Sequence, residues 1–442
     1  MRKPVLLTLG FVLAWAVGSI RWVARQSDDP LLDQDEVYWI GSAYYFDLAL
    51  VQRDWRHEAW RWLPARENPP VCKYVIGLGL ATAGHRVTSI ESLGYFYLKW
   101  LRWENNPAAQ PANAGEQKRA EVVRASGPAF REQVLGGKRA PLPRAVVAGA
   151  RNTVLVCAVL GSLALFALGW AAGDRLAGLI ASQLLLLHPV SAAAAGHAMS
   201  DTIALMFAIV AAWGVFGWYR RFTDPVPPAL VTGLRASLLA GALLGLACGA
   251  KMNALVIVLL AGVMVALTLV QRGREGAGRA AVWAGAHGLV VLATGLVVFV
   301  AINPAIWQDF PGGLWATVAE HRYTESVQVD LRDPPPTGVW ARLDAVGAMA
   351  FYGRELFVVM LGVVGWCAIQ RWHDQGVRFA VCWWGLALAV VTLWLPFAWP
   401  RYVLPLLPPS AWLAGCALAA AWRRLRDRAR GMAPAKWRAV RP

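Results

Sequence analysis

The chain has 442 residues, of which 57% are hydrophobic and only 16% are charged. Soluble proteins usually contain about 25% charged residues, so this composition argues against a soluble enzyme and against a disordered chain. Lysine and arginine number 43 against 27 acidic residues, which gives a formal net charge of +16. The six cysteines are scattered singly with no Cys-x-x-Cys spacing, so they indicate neither a disulfide framework nor a zinc site.

Ten apolar runs approach the length that a membrane span requires. A bilayer core about 30 Å thick is crossed by roughly 20 helical residues. The sequence therefore predicts an all-α polytopic integral membrane protein with about ten transmembrane helices and a single membrane domain over residues 1–442. The runs cover residues 4–20, 146–172, 176–187, 202–218, 238–250, 254–270, 280–302, 356–369, 379–397 and 404–422.

The first run, Pro4 to Ile20, fits either a membrane anchor or a cleaved signal peptide, because both begin with positive charges and a short apolar stretch. Arg21, Trp22 and Arg25 follow Ile20 directly, without a clear small-residue cleavage site. We therefore interpret the run as an uncleaved anchor.

The basic residues predict the orientation of the chain. Lysine and arginine collect in short cytoplasmic loops, and here they alternate along the chain instead of forming one basic face, so nucleic acid is not a predicted partner. Both termini are then cytoplasmic, with a basic tail at 423–442. The opposite side carries a long first extracytoplasmic loop at 21–145 and a second at 303–354. The cytoplasmic clusters are Arg2-Lys3, Asp174-Arg175, Arg220-Arg221, 272–279, 371–378 and 423–430.

Acidic residues lie at the start of the first outer loop, in LLDQDEVYWIGSAYYFDLAL. Asp33, Asp35 and Glu36 precede apolar residues at helical spacing, which predicts an amphipathic helix at the membrane interface. Partial desolvation raises the basicity of a carboxylate and suits it to proton abstraction. The alternative is that Asp35 and Glu36 only favour the positive end of the helix.

Three cations are predicted on the same outer face. Lys73 follows Pro69-Pro70 and begins an apolar helix, where it either reaches lipid headgroups or binds a phosphate. Lys251 interrupts an apolar region, and an ionisable residue at such depth is a candidate functional residue because burying it costs a few kcal/mol. Arg401 begins the last span, with Tyr402 beside it. Each taken singly is equally well explained as an interfacial anchor.

The second outer loop contains a mixture of aromatic and polar residues, in PAIWQDFPGGLWATVAEHRYTES. His321 and Arg322 are possible substrate contacts, because aromatic residues near polar ones commonly bind sugar faces. The alternative is that the tryptophans simply mark the membrane interface. Residues 85–144 are polar, rich in proline and glycine, and predict an insertion of short helices and loop.

The order of four motifs resembles that of the GT-C glycosyltransferases of the protein O-mannosyltransferase and aminoarabinose transferase type, often grouped as glycosyltransferase family 39. QDEVYWIGSAYYFD follows the first span and NPPVCK is similar to an HPPLGK-type element. HPVSAAAAGHAMSDTIALMF resembles a turn with an aspartate, here Asp201, that opens the fourth span. GLACGAKMNAL and PRYVLPLLPP resemble a lysine-bearing hairpin and a terminal helix led by arginine and tyrosine. The resemblance covers about Val5 to Trp422.

This resemblance implies a GT-C architecture and the transfer of a sugar from a polyprenyl-phosphate carrier to an extracytoplasmic acceptor, which is a protein hydroxyl, a lipid or a polysaccharide. It implies Asp35 as the general base supported by Glu36, and inversion at the sugar carbon. The implied ligands of the donor phosphate are Lys73, Lys251, Arg401 and Tyr402. Asp201 joins His321 and Arg322 as a possible substrate contact. Asn68 stands where a histidine is common, Cys72 replaces a small residue, and no large soluble domain follows the last span.

No cofactor is predicted. Asp33-Gln34-Asp35 has the form of a DxD motif, but two acids do not complete the roughly six oxygen ligands of Mg²⁺ or Mn²⁺, so a divalent ion is an alternative. The expected location is a bacterial inner membrane.

Two other classes of protein fit the span pattern. A secondary transporter or lipid flippase would also place an ionisable residue such as Lys251 within its spans. Transporters usually have repeat halves and polar groups near the midplane, whereas this sequence has no internal repeat and places its acids and cations at one face. A catalytically silent scaffold would tolerate Asp35→Asn without loss of activity.

Overall fold

The structure is a computed structural model that describes residues 17–18, 21, 34–61, 65–66, 68–88, 142–226, 228–276, 278–307, 310–315, 336–395 and 398–431. Most of the predicted first span and most of the predicted insertion lie outside the described residues. Within the described part of the chain the regular structure is helical and no β-strand occurs.

Thirteen helices carry the architecture described below. They are α1 (Gln34–Ser42), α2 (Val71–Thr82), α3 (Arg144–Ala171), α4 (Arg175–Leu187), α5 (Pro189–Ala195), α6 (Ser200–Thr223), α7 (Leu230–Ala250), α8 (Leu255–Arg274), α9 (Gly278–Ala301), α10 (Val339–Phe351), α11 (Arg354–Gln370), α12 (Gln375–Leu393) and α13 (Leu407–Gly431). Short 3-10 segments at Met252–Ala254 and Pro400–Leu406 lead into α8 and α13, and a π-helical turn at Asp47–Val51 follows α1.

Seven helical segments among the described residues are long and apolar enough to cross a membrane, and two bent helix pairs raise the number to nine. The bent pairs are α4 with α5 and α10 with α11. Nine of the ten predicted runs coincide with these segments, and the tenth, at residues 4–20, falls almost entirely outside the described part. The prediction of a polytopic all-α membrane protein is therefore confirmed.

Both bends have a local cause. α4 and α5 meet at 62°, where Pro189 begins α5 and the Nδ1 atom of His188 accepts a hydrogen bond from the Val190 N–H at 3.3 Å. α10 and α11 meet at 90°, where Tyr352 has φ 58° and Gly353 has φ 145°. The two bends touch, because His188 Nε2 lies 3.0 Å from the Ala350 carbonyl oxygen.

α10 lies inside the stretch that the sequence predicted as the second outer loop. Its helix was not recognised because Val339–Phe351 is short, and the proline-rich segment DPPPTG precedes it. The second predicted outer loop therefore contains a helix that continues into α11.

α1 also differs from the prediction. Every residue from 36 to 45 is buried, so the helix does not present a polar face to water or headgroups. Tyr38, Trp39 and Ile40 pack in one apolar cluster with residues of α2, α3 and α6, such as Ile76 and Val154. α1 is therefore a core element, and the residues at its start are held by the surrounding bundle.

Small residues let α7 and α9 approach closely. A Cβ atom added at Gly241 would lie 2.5 Å from the Val291 carbonyl oxygen, and one added at Gly245 would lie 2.4 Å from the Gly295 carbonyl oxygen. These two glycines are one helical turn apart and face α9. Close backbone approach through small residues is a common way for membrane helices to pack.

We expect Gly245→Leu to destabilise the fold, because its side chain has to push the α9 backbone away. Overpacking of this kind costs roughly 1–3 kcal/mol. Gly262→Leu on α8 is the matched control, since no atom lies within 4 Å of a Cβ added there. Thermal unfolding in detergent should show a lower midpoint for Gly245→Leu than for the control, and equal midpoints would contradict the tight α7–α9 contact.

Candidate active site

Four of the predicted site residues lie at the ends or breaks of helices. Asp35 is the second residue of α1, and Asp201 is the second residue of α6. Lys251 ends α7 in an extended conformation (φ −163°, ψ 146°), and Arg401 is the second residue of the 3-10 segment that leads into α13. Because the regular helix is interrupted at these points, polar side chains from distant parts of the sequence meet at one end of the bundle.

Asp35 and Arg401 form an ion pair between the start of α1 and the start of the last span. The Arg401 Nη1 atom donates to Asp35 Oδ2, and it lies 4.0 Å from the Met199 sulfur. The Arg401 guanidinium carbon is 4.5 Å from the centre of the Trp399 ring. Trp399 and Tyr402 stack at 5.7 Å. The aromatic rings thus border the cation and restrict its orientation.

Lys251 and Asp201 form a second ion pair beside the first. The Lys251 Nζ atom donates to Asp201 Oδ1 at 2.6 Å. The Asp201 side chain is only 7% exposed and that of Lys251 is 17% exposed, so the pair is shielded from solvent. A pair in such surroundings interacts more strongly than one on a wet surface.

Three of these four residues, Asp201, Lys251 and Arg401, line a cavity that is partly open to solvent, and Asp35 is held beside it through Arg401. The unfilled space of this cavity, open solvent included, is about 450 Å³. Its polar lining comes from Asp201, Lys251, Asn253 and Arg401, and the remaining lining is apolar except for the indole of Trp383. The apolar part is formed by Ala204, Leu205, Ala208, Ala254, Val256, Ile257, Leu404, Pro405 and Pro408. The lining thus combines two cations and one carboxylate with apolar walls, which leaves one net positive charge and suits an amphipathic anion.

Glu36 does not line this cavity. It is bound by a buried set of hydrogen bonds, called the clamp below, which Arg151 and the Ala198 N–H donate. Arg151 on α3 binds it with two hydrogen bonds, Nε to Oε1 and Nη2 to Oε2, both at 2.8 Å. The Ala198 N–H donates to Glu36 Oε1 at 2.7 Å, and His197 Nδ1 lies 3.6 Å from Oε2. The Glu36 side chain is fully buried.

The clamp sets the ionisation of Glu36. Burial by itself raises the pKa of this carboxyl, but the hydrogen bonds from Arg151 and the Ala198 N–H, together with the nearby His197, outweigh burial and lower the pKa from 4.5 to about 2. Glu36 is therefore a permanent carboxylate at neutral pH, and its role is to bind Arg151.

Lys73 does not line the cavity. It is completely buried near the start of α2, where its ammonium donates to the Asn68 carbonyl oxygen and lies 5.2 Å from the centre of the Tyr45 ring. It therefore does not reach lipid headgroups. Its assignment as a ligand of the donor phosphate stays a prediction.

Two predicted residues lie outside the described part of the chain. They are His321 and Arg322, so their proposed contacts with substrate stay predictions. Among the described residues no group of three or more histidine, cysteine or acidic side chains is arranged to hold a metal. Asp33, the first acid of the DxD arrangement, is not among them.

Arg151 is the principal residue that sequence reasoning missed. It lies in GARNTVLV, near the start of a long apolar helix. The same argument that singled out Lys251, an ionisable residue within an apolar span, would have identified Arg151. The residue types alone do not reveal that its partner is Glu36, which is 115 positions away.

Residues 128–307 match the family model described as dolichyl-phosphate-mannose-protein mannosyltransferase, over less than half of the chain. No curated protein matches the sequence at a significant level. ArnT from Cupriavidus metallidurans bound to undecaprenyl phosphate is a structural neighbour with a TM-score of 0.52 and 19% identity, and the match covers 93% of this chain and 60% of ArnT. This chain has a GT-C fold.

A second neighbour supports the same GT-C fold. The archaeal oligosaccharyltransferase AglB from Archaeoglobus fulgidus, in complex with an inhibitory peptide and a dolichol-phosphate, has a TM-score of 0.51 and 11% identity. The match covers 95% of this chain and 52% of AglB. The chain thus spans less than two thirds of the length of either neighbour. The predicted GT-C architecture is confirmed.

The low pKa of Glu36 predicts a specific acid sensitivity. A carboxyl whose pKa is lowered by folding contributes stability above its unfolded pKa of about 4.5, and this contribution is lost as the pH falls towards 2. The full effect is on the order of 3 kcal/mol, since one pKa unit is about 1.4 kcal/mol. Glu36→Gln should lower the thermal midpoint at pH 7 and flatten its decline between pH 4.5 and pH 2.

The matched control is Glu355→Gln, at an exposed carboxylate. Its unfolding midpoint should follow the wild-type pH profile. A Glu36→Gln protein that declines as steeply as wild type would show that the clamp does not set the acid sensitivity.

Proposed function

We propose that the protein is an integral-membrane glycosyltransferase that moves a sugar from a polyprenyl-phosphate carrier to a hydroxyl acceptor outside the cytoplasm. The observation that carries this proposal is the meeting of Asp35 and Arg401, 366 positions apart in the sequence, beside the cavity that Lys251 lines. The close approach of a carboxylate and two cations in a GT-C fold supports the assignment of Asp35 as the general base.

A lipid-linked phosphate suits the cavity. Lys251 and Arg401 supply the positive charge that a phosphate requires, and the apolar lining suits the first part of a prenyl chain. Support comes from the family model, whose description names a dolichyl-phosphate-mannose donor, and from the neighbours bound to undecaprenyl phosphate and dolichol-phosphate.

The proposed reaction is a single displacement at the sugar. The Asp35 carboxylate accepts the proton of the acceptor hydroxyl, and that oxygen forms a bond to the anomeric carbon. The bond from this carbon to the phosphate oxygen breaks, and its electron pair leaves with the phosphate, which Lys251 and Arg401 stabilise as negative charge develops. The configuration at the sugar carbon inverts.

Asp201 contributes by holding Lys251. Without the acid, the Lys251 ammonium would be nearly buried with no opposite charge at hydrogen-bond distance among the described contacts. Glu36 acts in the same way through Arg151. Both acids thus stabilise cations, while Asp35, whose side chain is 40% exposed, is the acid that an acceptor can reach.

The proposed location is a bacterial inner membrane with the active site on the extracytoplasmic face. Basic residues meet at the opposite end of the bundle, where Arg423 pairs with Asp174, Arg220 donates to the Ala171 carbonyl at 2.5 Å and Arg272 donates to the Phe222 carbonyl at 3.0 Å. Positive charge marks the cytoplasmic end of membrane helices, which supports placing Asp35 and Arg401 outside.

Asp35→Asn should strongly lower the rate of transfer while leaving the fold intact. Loss of a general base typically lowers the rate by about 10²–10⁴-fold. The measurement uses purified protein with a panel of radiolabelled polyprenyl-phosphate sugars and hydroxyl acceptors. Arg401→Ala should lower both kcat and the affinity for the donor. Asp427→Asn and Arg426→Ala, which alter an exposed ion pair in α13, are the matched controls and should transfer sugar at the wild-type rate.

The transporter hypothesis would be favoured if the wild-type protein transferred sugar from no donor and instead coupled an ion gradient to the uptake of a solute into vesicles. Full activity of Asp35→Asn would remove the proposed base.

Lys251 and Lys73 should behave differently when each is replaced by methionine. Lys251→Met removes a cation from the cavity wall, so the KM for the donor should rise by about tenfold or more. A hydrogen bond to a charged group is worth roughly 1.5–3 kcal/mol. Lys73→Met removes a buried contact with Asn68 and Tyr45, so the thermal midpoint should change more than the KM. A large rise in donor KM with Lys73→Met would instead place Lys73 at the phosphate.

A further inference from the structure

We propose that Arg151 is a positioning residue for sugar transfer, which it serves by holding Glu36 and thereby fixing Asp35 against Arg401. This inference rests on the function proposed above. Arg151 is not among the described residues that line the cavity, so we assign it an action through the first turn of α1 and not on substrate.

The clamp joins three parts of the chain at a single carboxylate. Both oxygens of Glu36 are bound by the planar fork of Arg151 on α3, and Oε1 also accepts the Ala198 N–H from the turn between α5 and α6. A bidentate pair restricts both distance and angle. The orientation of the first turn of α1 is thus tied to α3 and to this turn.

Asp35 and Arg401 are both connected to the clamp, the first through the chain and the second through a contact. Asp35 precedes Glu36 directly, in the same first turn of α1. Met199 follows Ala198 directly, and its sulfur lies 4.0 Å from Arg401 Nη1. The base is therefore held through α1, and the cation is contacted from the turn that the same carboxylate binds.

Stability alone does not account for a buried ion pair. Removing two charges from water is costly, and an apolar pair of similar volume is often equally stable or more stable. Arg151 moreover lies in a membrane span, where a charged residue costs a few kcal/mol. A role in fixing the position of Asp35 explains the pair better, because displacement of a reacting group by about 1 Å can lower a reaction rate by about 10²-fold.

The first test measures the position of residue 35 without using activity. The thiol introduced by Asp35→Cys is alkylated with N-ethylmaleimide, with the clamp intact and with Glu36→Gln and Arg151→Met introduced together, so that no buried charge is left unpaired. Wild-type protein gives the background from the six native cysteines, and Asp427→Cys is the control. Loss of the clamp should raise the alkylation rate of position 35 at least threefold and leave position 427 unchanged.

The second test measures catalysis by folded protein. Glu36→Gln with Arg151→Met should lower kcat at least tenfold, with less than a threefold change in donor KM. Arg151→Lys, which keeps the cation, should recover part of the rate. In an Asp35→Asn background the effect of Arg151→Met on kcat should disappear, because the residue it positions is already inactive. Amounts of folded protein are equalised by size-exclusion chromatography.

An unchanged alkylation rate, or a wild-type kcat for the double variant, would overturn the positioning role. If wild type transfers no sugar, the proposed function fails, and the alkylation test still decides whether the clamp positions residue 35.

Discussion

A charged side chain inside a membrane bundle is stable only where an opposite charge and hydrogen bonds meet it. This constraint organises the end of the bundle that contains the cavity. Glu36 and Asp201 each hold a cation in the interior, and the Asp35–Arg401 pair lies where the bundle opens. Two of these ion pairs connect α1 with α3 and with the segment that begins the last span, the third connects α6 with the end of α7, and the cavity lies beside them.

The pairs can form because helices end or break where they meet. A continuous helix at residue 251 would leave Lys251 on a regular helical face, whereas its extended backbone lets the ammonium reach the start of α6. The 3-10 segment at Pro400–Leu406 similarly begins the last span with Arg401. Short breaks in the helices thus bring polar side chains together between apolar helices.

The sequence was sufficient to predict most of the spans, because runs of apolar residues are a direct measure of membrane burial. It also singled out Asp35, Lys251 and Arg401, which the structure brings close together, while their roles stay predictions. It could not predict the burial of α1, because that depends on the helices that surround it. Arg151 was missed although it lies in an apolar span, the same signal that singled out Lys251. Its pairing with Glu36 depends on three-dimensional contact and could not be predicted from the sequence.

The resemblance in motif order led to the correct fold. The residues that it implies as phosphate ligands do not all lie at the cavity. Lys251 lines the cavity, whereas Lys73 is buried against Asn68 and Tyr45. A motif of a few residues specifies a local sequence pattern, but the direction of a long side chain depends on its neighbours. Each residue therefore has to be tested singly.

The contact between His188 and the Ala350 carbonyl links the two bent helix pairs at their corners. α5, which begins directly after His188, also packs against the 3-10 segment that carries Arg401. α10 packs directly against the same 3-10 segment, so both bent helix pairs contact the backbone that carries Arg401. α10 belongs to the stretch 303–354 and is not among the elements that line the cavity, so this packing connects that stretch with the Arg401 backbone from outside the cavity.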